Sequence, residues 1–154
     1  KSHMYALIYL MKHNVKNACI FEDDVTLCDG VTPQQFNTVL SNSFGKVSNK
    51  FDIFYITMTP ISIEDVDGFT KRVKKALAMP AFIINRSYYS KLLNIYKKAL
   101  DTNKPHDLVT QLYQHIDRWY GIFPAIARQE PGYSDIEKRE VDYTYLDVKG
   151  SMIY

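Results

Sequence analysis

The chain has little of what would place it outside the ordinary folded domains. Cysteine occurs only twice in 154 residues, as Cys19 and Cys28. Two cysteines do not make a disulfide scaffold, and these two lack the spacing of a zinc motif. They read as reduced thiols, with Cys19 a small core residue, and they lead us to expect a cytoplasmic protein. Long hydrophobic runs are missing as well. The longest, Met4 to Met11, falls far short of the roughly 20 residues that cross a bilayer, so the chain is not expected to be membrane-spanning. No charged, apolar and cleavage-site succession opens the sequence, so no signal peptide is read. Charge of one sign is also lacking. A formal net charge of +2 gives no reason to expect nucleic acid as a partner. There is no glycine-rich phosphate loop, no internal repeat and no low-complexity segment.

What is present describes a single soluble-type core. Apolar residues make up 46% and charged residues 23%, values normal for a globular domain. Aromatic content is 14%, with 12 Tyr, 8 Phe and one Trp. Aromatic faces serve carbohydrate sites, but tyrosine also fills cores with its hydroxyl at the edge.

Periodicity and punctuation give an alternating pattern. Ser2 is a helix cap ahead of Met4, Leu7, Ile8 and Met11. Ala18 to Phe21 is a short apolar strand. Thr32-Pro33-Gln34-Gln35 is a helix start, with Thr32 as cap, Pro33 in the first helical position and Gln35 closing a capping box. Phe36, Val39 and Leu40 give that helix a buried side. Phe51 to Thr57 is a strand, Met58 to Phe69 a loop, and Arg72 to Ala76 an edge strand. Ala81 to Ile84 follows Pro80 as another strand. Asn85 or Ser87 opens a helix bearing Tyr89, Leu92, Leu93, Tyr96 and Leu100, and Asn103-Lys104-Pro105 breaks it. His106 to His115 is a helix with Leu108, Leu112 and Tyr113 inward. Trp119 to Phe123 is the last strand, with Trp119 in the core. Strands alternating with helices predict an α/β fold with a mostly parallel sheet flanked by helices. Residues 1–127 form its core. Residues 128–154 are a turn-rich segment expected to pack on or near the active site.

The chemistry concentrates at Glu22-Asp23-Asp24, where the apolar strand ends in three consecutive acids. Residues two apart in an extended chain share a face, so Glu22 and Asp24 face one side and Asp23 the other. An acid-x-acid pair is suited to a hard divalent cation with oxygen ligands, Mg²⁺ or Mn²⁺. The bland alternative is a solvated acidic turn. Lys71, Arg72, Lys74 and Lys75 form a basic cluster, read as a solvated edge. The four histidines lack metal-pair spacing.

Ser2-His3, the helix after it and Cys19-Ile20-Phe21-Glu22-Asp23-Asp24-Val25 together resemble glycosyltransferase family 25. That family includes the lipooligosaccharide and procollagen β-galactosyltransferases and has a GT-A fold. The strand at Ala81 to Ile84, Asp107 and the segment Gln129 to Ile136, with Tyr133-Ser134-Asp135 within it, are similar to related sequences too. The resemblance implies a metal-dependent transfer of a hexose, galactose or glucose, from a UDP-sugar to an acceptor hydroxyl, with inversion. Glu22 and Asp24 would then ligate Mn²⁺ (or Mg²⁺), and Asp23 and His3 would contact the donor. Asp107 would be the catalytic base, and Asp135 a further metal or acceptor contact. The bland reading of Asp107 is a helix-start acid, and that of Ser134 with Glu137 a helix cap. The acceptor would be a glycan, a lipid-linked glycan or a protein. Family members begin with a nucleotide-binding strand ahead of the Ser-His pair, so the resemblance implies an N-terminally truncated sequence. The alternative is a non-catalytic glycosyltransferase-like module that binds carbohydrate or protein. A phosphotransferase or nuclease on the same acidic tip is disfavoured, since no phosphate loop accompanies it.

Overall fold

The computed structural model describes residues 2–134 and 138–142. Helix α1 spans Ser2–Lys12, strand β1 Asn17–Phe21, β2 Val25–Leu27 and helix α2 Pro33–Gly45. A long hairpin follows, β3 Ile53–Asp67 and β4 Thr70–Asn85. A 3-10 turn at Arg86–Tyr88 leads into α3 Tyr89–Asp101, then α4 His106–Gln114 and β5 Trp119–Ile122. Three short strands close the described chain, β6 Ala127–Gln129, β7 Gly132–Ser134 and β8 Arg139–Val141.

The fold is mixed α/β, but the sheet is not mostly parallel as the alternation predicted. Its order is β1-β4-β3-β5. β1 and β3 both pair antiparallel with β4, and only β3 and β5 are parallel. The cause is the hairpin. Of the expected loop at residues 58–69, residues 58–67 continue β3 and only 68–69 turn, and the two strands expected at Arg72–Ala76 and Ala81–Ile84 are one strand, β4. The sequence places Pro60 in that loop and Pro80 ahead of a strand. Here Pro60 sits among register shifts in the β3–β4 ladder, a tolerated place for a residue without an N–H. The turn has two residues, with Gly68 in the first position at φ +51°, a conformation that favours glycine.

The sheet curls on itself. The start of β4, Thr70–Arg72, pairs antiparallel with Tyr120–Ile122 of β5, while the other edge of β5 pairs with Ile53–Tyr55 of β3. Close approach there needs a residue without a side chain. A Cβ on Gly121 would lie 2.9 Å from the Tyr55 Cβ.

Alternating side chains of β3 feed two cores. Ile53 and Tyr55 join Leu7, Leu92, Val109 and Trp119 on one face, with α1, α3 and α4. Phe54 joins Phe51, Ile122 and the apolar side of α2 on the other. Trp119 is fully buried, as expected, and its indole N–H donates to the Tyr88 hydroxyl at 3.2 Å. The helix starts follow the sequence closely. Thr32 caps α2 in a capping box with Gln35, with Pro33 at its start, and Asn85 caps the 3-10 turn.

Several side chains face the other way from the expected pattern. In α1, Leu7 is buried and Met4 and Leu10 pack against the core, whereas Ile8 and Met11 are exposed. In α4, Leu108 and Leu112 are exposed. Their inward places go to Val109, Thr110 and Gln114. Gln114 is tolerated because its amide is fully used. It accepts from Ala76 N–H at 2.7 Å and donates to Ala76 C=O and to the Tyr55 hydroxyl. Cys19 is exposed rather than in the core, since burial in β1 falls on Ala18 and only partly on Ile20.

Candidate functional site

The acid triplet is a turn, not the continuation of a strand. β1 stops at Phe21, and the Val25 N–H donates back to the Glu22 carbonyl at 3.4 Å, linking β1 to β2. The Glu22 N–H is tied to the Pro80 carbonyl at 2.7 Å. Glu22 and Asp24 still share one side, by a different cause from the expected strand alternation. β6 pairs with β2 so that Gln129 lies opposite Val25. From there the Gln129 side-chain amide donates to Asp24 Oδ2 at 3.0 Å and Glu22 Oε2 at 3.3 Å. The Glu130 N–H donates to the Asp24 carbonyl at 2.8 Å. Asp23 is exposed.

One amide cannot satisfy two carboxylates. Asp24 Oδ1 is buried and has no hydrogen-bond partner, an uncommon state for a buried polar atom. Burial, aided by the neighbouring Asp24 and Asp23 charges, pushes the Glu22 carboxyl up to about 7. His3, at the start of α1, brings Nε2 to 3.6 Å from Glu22 Oε1. Burial and the nearby His106 lower His3 to about 4. These two values decide the nature of the contact. His3 is charged below about 4 and Glu22 above about 7, so no pH charges both fully. The contact is a neutral imidazole against a carboxyl group, not an ion pair.

His3 sits in an aromatic nest. Its ring stacks on Tyr96 at 6.0 Å and meets Phe82 and His106 edge-on, each at 5.9 Å. His106 opens α4 and packs edge-on against Tyr96 at 5.5 Å. Burial lowers His106, opposed by Asp107. The structure thus brings Glu22, Asp24 and His3 together and adds Gln129, His106 and Tyr96. The spacing of the histidines concealed the contact between His3 and His106, which are 103 positions apart in sequence. For Gln129 no local signal marks a role, and the β2–β6 pairing alone gives it one.

Asp107 follows His106 at the start of α4. It is half-buried in the first turn of α4, and its Oδ1 accepts from the Leu108 N–H at 2.8 Å. None of its hydrogen bonds reaches Glu22 or Asp24. Asp135 lies outside the described residues, as does Glu137 of the expected Ser134–Glu137 cap. The expected boundary at 127/128 falls within β6, where Arg128 reaches back to Asp29 at 2.9 Å. Two of the four residues of the basic cluster are paired locally. Lys71 pairs with Asp65 and Lys74 with Glu64 across the hairpin. Arg72 turns inward and donates to the carbonyls of Val73, Gln114, Asp117 and Trp119.

Among the described residues, no group of three or more His, Cys, Asp and Glu side chains is placed to hold a metal ion. A pair of carboxylates with an unpartnered oxygen remains. That donor set fits Mg²⁺ or Mn²⁺, which take one or two carboxylates and draw their other ligands from water and substrate phosphate. Beside the turn lies an open apolar recess of about 350 Å³ lined by Phe21, Val25, Thr26, Leu27, Phe36 and Ala127. No protein-family model matches the chain, and no curated protein matches it.

Proposed function

We propose that the chain is a GT-A-like, metal-dependent glycosyltransferase domain. It moves a hexose, galactose or glucose, from a UDP-sugar to an acceptor hydroxyl with inversion. The observation that carries this reading is the pair of carboxylates at Glu22 and Asp24, held on one side by Gln129, with Asp24 Oδ1 buried and unpartnered. A buried polar atom without a partner calls for an account, and for a carboxylate oxygen beside a second carboxylate a bound cation is one. A bound divalent cation would offset the negative charge of the departing diphosphate. Glu22 and Asp24 are the residues that would hold it.

The chain's own groups divide the remaining work. Gln129 fixes the two carboxylates relative to each other. His3, neutral and wedged between Phe82, Tyr96 and His106, presents a hydrogen-bonding edge to the donor beside Glu22. Asp107 is the proposed base that withdraws the acceptor proton. The acceptor is a glycan, a lipid-linked glycan or a protein. The mostly antiparallel sheet places the weight of the GT-A-like assignment on the acid turn rather than on the sheet.

A second reading is favoured by the position of Asp107, whose carboxylate is used at its own helix start. There the domain binds carbohydrate or protein without catalysis. Calorimetric titration with MnCl₂ and then UDP separates the two. The transferase reading expects heat from UDP that depends on Mn²⁺ and is lost in Asp24→Asn. No Mn²⁺-dependent heat, or unchanged heat in Asp24→Asn, overturns it.

A further inference from the structure

The helices on the two faces of the sheet present opposite kinds of outer surface. α2 has a polar outside, with Gln34, Asn37, Thr38 and Ser41 exposed. α1 does not. The side of α1 turned away from Leu7 carries Tyr5, Ile8 and Tyr9, with Tyr5 70% exposed. α4 repeats the pattern with Leu108, Leu112 and, just beyond its end, Ile116 at 66% exposure. α3 lies between them and packs on both. Among the described residues there are thirteen exposed large hydrophobic side chains, and eight belong to α1, α3, α4 or the turn after α4. Single exposed apolar residues need no account, but their concentration on one layer does.

The charge of this layer narrows what covers it. Residues 2–16 and 86–117 carry seven Lys and Arg against three Asp, in a chain whose net charge is only +2. Off the layer several basic side chains are matched locally, as in Lys46–Asp67, Lys74–Glu64 and Arg118–Asp52, while Lys50 and Lys75 form no ion pair with a described residue. On the layer, Lys12, Lys16, Lys97, Lys98 and Lys104 are exposed. None of them forms an ion pair with a described residue. Lys97 and Lys98 stand on α3, between the apolar faces of its neighbours. Unneutralised lysines among exposed tyrosine and aliphatic side chains match a bilayer surface, where anionic headgroups meet the cations and the acyl boundary takes the apolar groups. A nucleic-acid backbone offers the charge but nothing for the aliphatic residues.

We infer that the outer face of α1, α3 and α4 docks on an anionic lipid surface without crossing it. No described helix is long and apolar enough to cross a membrane, so binding is peripheral. The inference does not rest on the proposed transfer reaction. It does bear on it, because His3 opens α1 at the edge of this layer and lies 3.6 Å from Glu22. Docking therefore holds the acid turn beside the lipid surface.

Co-flotation of the full chain with vesicles of phosphatidylcholine, alone or with phosphatidylglycerol, tests this. The inference expects binding to the anionic vesicles that weakens as salt is raised, and little binding to phosphatidylcholine alone. Lys97→Gln and Lys98→Gln are exposed helix substitutions expected to leave the fold intact, which circular dichroism checks. Each is expected to weaken partition about fivefold. Tyr5→Ser with Ile8→Ser is expected to weaken it on vesicles of the same charge. Equal binding to both vesicle types, or to neither, overturns the inference. So does a stable dimer in light scattering that does not float with vesicles, since the apolar face then belongs to a second copy of the chain.

Discussion

Two acidic sites lie at opposite ends of the same sheet, and they differ in how their charge is met. Asp52 stands just before β3 and is 7% exposed. Its Oδ2 accepts from the Arg118 backbone N–H at 2.9 Å and from Arg118 Nε at 3.2 Å, and its Oδ1 accepts from Arg118 Nη2 at 2.6 Å. Its own N–H donates to the Arg118 carbonyl, and its carbonyl accepts from Asn85. At the acid turn, the Glu22 and Asp24 carboxylates share the Gln129 amide and one Asp24 oxygen goes without. Both sites sit at strand ends. At Asp52 burial is compensated and the group joins β3 to the turn before β5. At Glu22 and Asp24 burial is only partly compensated, since Asp24 Oδ1 has no partner.

The largest effect expected from this contrast is on stability at the satisfied end. Asp52→Ala removes three hydrogen bonds to Arg118 and is expected to cost about 2–3 kcal/mol. The value stays below that of a fully buried pair because the Arg118 side chain is 54% exposed and regains water. Urea denaturation measures it, and added Mn²⁺ is expected to restore none of it. Asp24→Asn, by contrast, removes one of several crowded like charges and is expected to change stability by less than about 1 kcal/mol. An Asp24→Asn loss equal to that of Asp52→Ala breaks the comparison, because Asp24 is then structural as well.

A smaller effect separates the sites by pH. Glu22 is raised from 4.5 to about 7 in the folded chain. The folded state therefore binds more protons than the unfolded one between those values, and stability falls as pH rises through that window. His3 is lowered from 6.5 to about 4, so its contribution has the opposite sign and stability rises with pH from about 4 to 6.5. The two slopes oppose each other in the native protein. Glu22→Gln removes one of them. The variant is expected to match the native stability near pH 4.5 and to exceed it by about 2 kcal/mol above pH 7. Denaturation midpoints across pH 4 to 8 check this, and parallel curves for the two proteins refute it.

The same contrast explains what was legible in the sequence. Local signals held. The capping box at Thr32 and Gln35, the proline at Pro33 and the break at Asn103 to Pro105 act within a few residues, where sequence and structure share one cause. The acid turn was visible because three carboxylates in a row are locally unusual. Features made by distant pairing were not visible. The β3–β4 hairpin runs through two prolines that read alone as a loop residue and the start of a strand. Gln114 takes a core place because Ala76 and Tyr55 supply its partners. Gln129 enters the site through the β2–β6 register, and His106 through the packing of the starts of α1 and α4. Periodicity cannot report a polar residue whose needs are met by a strand 38 positions away.

The smallest effect tests Gln129 itself, the side chain through which the two ends are distinguished. A glutamine amide nitrogen donates two hydrogens, and here both carboxylates lie within its reach at 3.0 and 3.3 Å. Gln129→Ala keeps the β2–β6 backbone pairing and removes only this bridge. Its cost is expected to be about 1 kcal/mol at pH 8, where both acceptors are charged, and less at pH 5.5, where Glu22 is protonated and accepts more weakly. Losing a donor to the charged form also moves the Glu22 carboxyl still higher. Proton NMR titration of the Glu22 side chain reads that shift directly. A Glu22 titration unchanged by Gln129→Ala means the amide does not hold the acid pair together. Asp24 Oδ1 then loses its standing as the one unmet oxygen of an otherwise organised site, and the acid turn reverts to a crowded, solvent-screened bend.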